Sequence, residues 1–168
     1  LCITKEELKE IKEAYNSLDK KPILTVGFNR RFSPHARKLK KFFDGRKDPM
    51  IAHYRVNVGF VPKDHWVHSA KEGGGRLIGE AGHFVDFLQY VIGKNPTSVS
   101  AEQIEGNEKT ALESDNLAFI MKFEDGSIGN VLYTASGDRA FSRENIELFA
   151  EGKTAVLKDF KKLELFKS

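Results

Sequence analysis

The sequence predicts an α+β domain: a mostly antiparallel open sheet with helices packed on one face. Helical patterns crowd the first half of the chain, strand-like patterns fill the second, and no regular β-α-β alternation links them. With 168 residues, 40% of them hydrophobic, the chain can enclose one core and is read as a single domain over residues 1–168.

Thr4 and Glu7 have capping-box spacing, and Leu8, Ile11, Tyr15 and Leu18 follow at helical intervals, so a first helix is expected over about 5–18. Asp19-Lys20-Lys21-Pro22 ends it. Ile23, Leu24, Val26 and Phe28 then read as a short buried strand. Asn29 to Pro34 turns the chain into a second helix, which carries Leu39, Phe42 and Phe43 inward and closes at Gly45. From Met50 to Phe60, the inward residues Ala52, Tyr54, Val56, Val58 and Phe60 alternate with His53, Arg55, Asn57 and Gly59. This is a half-buried strand whose polar face is open to contact. A polar loop from Val61 to Glu72 leads to Gly73-Gly74-Gly75 and a long helix with the stripe Leu77, Ala81, Phe84, Leu88 and Val91. Gly93-Lys94-Asn95-Pro96 stops this helix, which is expected at the centre of the core. Strands are predicted over 99–104, 116–123, 127–134, 145–150, 154–158 and 163–166. The turns Glu124-Asp125-Gly126 and Glu151-Gly152 connect them as an antiparallel meander.

A net charge of +3, with Lys and Arg interspersed among Asp and Glu, argues against a nucleic-acid surface. No apolar run approaches the roughly 18 residues of a membrane span. Cys2 has no partner cysteine and no signal peptide is present, which suggests a reducing, cytoplasmic setting. Lys38, Lys40, Lys41, Arg46 and Lys47 read as the solvated face of the second helix.

Gly73, Gly75 and Gly79 fit a relaxed dinucleotide fingerprint, but polar Ser69-Ala70-Lys71-Glu72 stands where such a fingerprint needs a buried strand. Close approach of the chain to the helix start is the favoured reason for these glycines. Glu80, His83 and Asp86 recur every three residues on the long helix, with His83 on the shoulder of its buried face. A histidine there, with a carboxylate one turn away, can act as a general base or form a simple surface pair. A metal site is not expected, because Asp86 points roughly 120° away from Glu80. Arg30 and Arg31, between a strand end and a helix start, suit ligand contact and an ordinary surface pair equally well.

Val26 to Pro34, Lys63-Asp64-His65-Trp66-Val67, and Gly73 to Asp86 together resemble the glucose-fructose oxidoreductase, inositol dehydrogenase and MocA family. The resemblance spans nearly the whole chain but matches only that family's C-terminal domain. It implies an NAD(P)-dependent oxidoreductase acting on a sugar, cyclitol or sugar derivative, with NAD or NADP bound mainly by an N-terminal Rossmann domain absent from this chain. It further implies that His83 is the acid or base on the substrate hydroxyl, that Glu80 orients it, and that Arg30, Arg31, Asn57, Lys63, Trp66 and Asp86 shape the substrate pocket. The family often places an aspartate four residues before this histidine, where Gly79 stands here. A Glu-Lys-Pro segment whose lysine assists catalysis would be expected shortly upstream of Leu1. The family pairs through the sheet face, so a homo-oligomer is expected. The isolated chain, binding no cofactor of its own, would be inactive. The alternative is a non-catalytic assembly or binding module of the same fold.

Overall fold

The structure, a computed structural model, describes residues 2–105 and 115–167. Among these residues the elements run α1 (Lys5–Asn16), α2 (Pro34–Phe42), β1 (Ile51–Asn57), α3 (Arg76–Ile92), β2 (Pro96–Gln103), β3 (Asn116–Phe123), β4 (Ile128–Thr134), β5 (Glu144–Ala150), β6 (Lys153–Lys158) and β7 (Lys162–Lys167). The strands form one open sheet in the order β2-β3-β4-β1-β5-β6-β7.

The α+β reading holds, and the simple meander is corrected. β2-β3-β4 and β5-β6-β7 are each antiparallel hairpin runs, but β1 lies between them, antiparallel to β5 and parallel to β4. Turn signals specify only neighbours joined by short loops. A strand inserted from elsewhere in the chain leaves no such mark.

One face of the sheet is the core. Ala52, Tyr54 and Val56 of β1, Phe119 and Met121 of β3, Val131 and Tyr133 of β4, and Ile146 and Leu148 of β5 alternate inward. They meet Phe84, Phe87, Leu88 and Val91 of α3 together with Ala36 and Leu39 of α2. Gly129 permits the close approach of α3, since a Cβ there would meet Leu88 Cδ1 and Phe123 Cε2, each at 3.1 Å.

The first helix forms with its expected capping box, in which Thr4 Oγ1 accepts from the Glu7 amide at 3.1 Å and Glu7 Oε2 from the Thr4 amide at 3.3 Å. Yet it buries no residue. The expected buried strand at 23–28 is a second correction: the segment is irregular, and Ile23 is 97% exposed. Its end sets Phe28 against Gly82 and His83 of α3, and among the described residues it pairs with no strand. Burial by alternation requires a neighbouring strand, and none lies beside it.

Candidate active site

α3 begins on a loop that suits glycine alone. A Cβ on Gly73 would come within 2.2 Å of the Val67 carbonyl oxygen, and Gly74 and Gly75 have φ of +66° and +90°. The amides of Gly73 and Gly74 donate to the Ser69 carbonyl at 3.0 and 2.8 Å, and that of Gly75 donates to the Val67 carbonyl at 3.0 Å. A phosphate cradle needs such amides directed outward. This loop therefore does not fit the pyrophosphate of a dinucleotide. Beside it lies a cavity of about 530 Å³ whose walls include Trp66, Val67, Arg76, Ile78, Gly79 and Glu80.

One turn beyond Glu80, His83 is half-buried. Its ring stands edge-on to Phe28 with centroids 5.6 Å apart, and its Nδ1 is buried without a hydrogen-bond partner. Burial, and then the charge of Arg30, hold this imidazole below its ordinary pKa. His83 is thus neither sealed in the core nor turned wholly to solvent.

The acids and arginines near this ring are matched with one another. Arg30 Nε and Nη2 each donate to the Glu144 carboxylate at 2.9 Å, and the Tyr54 hydroxyl donates to the same group. Arg31 grips Asp86 with Nε, at 3.0 Å, and with Nη2. Arg76, buried at the first turn of α3, donates from Nε to Glu80 Oε1 at 3.1 Å and from Nη1 to the Gly59 carbonyl at 2.9 Å. Glu80 is therefore held by Arg76 and not by His83. Burial, followed by the charge of Glu144, pushes the Tyr54 hydroxyl well above its ordinary pKa, so it remains a donor.

Of the other residues expected in a pocket, Trp66 opens a single 3₁₀ turn, Trp66–His68, and lies on the cavity wall; Lys63 is exposed on the loop before it. Asn57 lies elsewhere, at the end of β1, where Nδ2 donates to the Asp138 carbonyl at 2.7 Å and ties down the connection from β4 to β5. The charges of Arg30 and Asp86 reach His83, but both residues, like Arg31, are engaged in internal ion pairs. Glu144, Tyr54 and Arg76 were missed from sequence. The signal existed for Glu144: it is in phase with buried Ile146 and Leu148, and a carboxylate on an inward register needs a partner.

Residues 48–156 match a family described as the GFO/IDH/MocA C-terminal domain. The chain belongs to that family. Solved structures agree on the fold. A levoglucosan dehydrogenase in complex with NADH is 21% identical, with a TM-score of 0.76 over 98% of this chain and 48% of its own. A putative oxidoreductase from Thermotoga maritima is 15% identical, with a TM-score of 0.76 over 99% and 52%. UDP-N-acetylglucosamine 3-dehydrogenase GnnA from Acidithiobacillus ferrooxidans is 17% identical, with a TM-score of 0.73 over 98% and 50%. This GFO/IDH/MocA C-terminal domain spans about half the length of each. No curated protein matches it in sequence. Among the described residues, no helix is long and apolar enough to cross a membrane.

Proposed function

We propose that this chain is the substrate-binding and assembly half of an NAD(P)-dependent oxidoreductase acting on a sugar, cyclitol or sugar derivative. The observation that carries the reading is His83, a half-buried imidazole whose pKa burial and Arg30 hold below its ordinary value, one helical turn from a cavity large enough for a small ligand. With Nδ1 buried, Nε2 is the nitrogen left to take a proton from a substrate hydroxyl. Trp66 offers the cavity a flat apolar wall on which a pyranose-like ring could rest. Because the glycine loop does not suit a dinucleotide, NAD or NADP is assigned to a nucleotide-binding domain outside these residues, where it would accept the hydride. The chain's own residues position the substrate and hold its proton. Support for the substrate class comes from the names of the structural neighbours, two of which are dehydrogenases of sugar-type compounds.

In the full-length protein, His83→Ala is expected to lower kcat by about 10²- to 10⁴-fold while sedimentation stays unchanged. Unaltered turnover would remove the catalytic reading. The 168-residue chain alone, given NAD or NADP and sugars, is expected to reduce no cofactor.

A second role rests on the sheet's uncovered face. Ile128, Ile51 and Phe149 are partners across β4, β1 and β5, and Thr154 leads on to Phe166 of β7. All four apolar residues in this row are exposed. We propose that this face pairs two copies of the chain.

A further inference from the structure

Three carboxylates lie around His83, and each is already taken by an arginine. Glu144 of β5 is held by Arg30, Asp86 of α3 by Arg31, and Glu80 of α3 by Arg76. No hydrogen bond joins any of these acids to the imidazole, and Nδ1 is buried with no acceptor. Nε2 is free to take a proton only when Nδ1 already carries one, and a buried N–H without an acceptor costs the imidazolium, the stronger donor, more than the neutral ring. The turn 28–32 supplies two further elements: Phe28 lies against the ring, and the Arg30 guanidinium stacks over Phe84, the next residue of α3, with 5.1 Å to its centroid. That guanidinium is fixed by Glu144, whose own amide donates to Asp159 Oδ1 at 2.7 Å.

We infer that His83 handles its proton without a carboxylate partner, and that Arg30, anchored by Glu144 and Tyr54, is a positioning residue that keeps the ring uncharged until substrate supplies the proton. The inference deepens the catalytic reading above and rests on it only for the source of that proton. A histidine-carboxylate pair would raise the basicity of the ring and stabilise its charged form. The arrangement here does the opposite. Burial and then Arg30 oppose charging, and each of the three carboxylates that pull the other way shares its charge with an arginine. Glu80 thereby loses the orienting role expected of it and becomes part of the cavity wall.

The test is a proton titration of His83 in the 168-residue chain, without substrate or cofactor, following the imidazole Cε1–H resonance assigned by its loss in His83→Gln. Arg30→Met is expected to raise the midpoint by about half a pH unit or more, and Glu144→Gln to lower it. Opposite signs from two partners in one ion pair identify a charge effect, since loosened packing would move both alike. Arg30→Lys, which keeps the charge, is expected to titrate near the wild type, and Glu80→Gln is expected to move the midpoint less than Arg30→Met does. Should Arg30→Met fail to fold, the direction of the Glu144→Gln shift decides. A shift upward, no shift in either variant, or a dominant effect of Glu80→Gln overturns the inference. Because no turnover is measured, this outcome is separate from whether His83→Ala inactivates the full-length protein.

Discussion

His83 brings an ionisable group into a site that favours its neutral form, so it links stability to pH. Burial, and secondly Arg30, depress its folded-state pKa, while the unfolded chain keeps the ordinary value. Between the two values the unfolded state binds more protons. This contribution to stability is thus complete above about pH 6.5 and is lost as pH falls through the folded value. His83→Gln is expected to flatten the acid side of a plot of urea midpoint against pH. An unchanged slope below about pH 6.5 would mean that the ring is not held neutral. The helical spacing of Glu80, His83 and Asp86 made the histidine legible in the sequence. The partners of these residues were not legible, because Arg31 is 55 residues from Asp86 and Arg30 is 114 from Glu144. Spacing along one helix reveals which groups share a face, whereas ion pairs are chosen by whatever the fold brings opposite.

At the scale of elements, α3 is the piece on which the site depends, and its seat on the sheet is set partly by Gly129. Gly129→Val would push side-chain atoms into Leu88 and Phe123. The expected loss is about 1–3 kcal/mol by urea denaturation; an unchanged midpoint would show that α3 is not pressed against β4. The turn between β6 and β7 contributes from the opposite end of the sequence. Asp159 and Phe160 there have φ of +48° and +55°, unusual for residues other than glycine. The turn places Asp159 against the Glu144 amide and sets the Phe160 ring 5.2 Å from that of Phe87. α1 shows the converse. Its capping box and periodicity were sufficient to predict a helix, but not to tell whether any surface would cover its apolar side.

For the molecule as a whole, the open sheet has one face under helices and one bare. The bare face carries Ile51, Ile128 and Phe149 side by side on the three central strands, with polar His53 and Asn130 hydrogen-bonded in the next row. If two copies pair there, Phe149→Lys is expected to convert a dimer to a monomer in sedimentation, without altering the far-ultraviolet dichroism. A wild-type chain that sediments as a monomer at every concentration would remove the assembly proposal. The alternation of β1, β3, β4 and β5 and the members Phe84, Leu88 and Val91 of the α3 stripe were legible from the sequence alone, and with them the fold class and much of the core, because each depends only on the period of its own backbone; Leu77, at the free start of the helix, is exposed, and buried Phe87 lay outside the stripe. Gly73 also read correctly as a place of close approach, whereas Gly75 is fixed by its positive φ, with open space around it. Only the tertiary structure decided that β1 enters between β4 and β5, that residues 23–28 form no strand, and that the acids beside His83 are bound to arginines. Those outcomes depend on contacts between distant segments, and a local pattern carries no information about what will lie across from it.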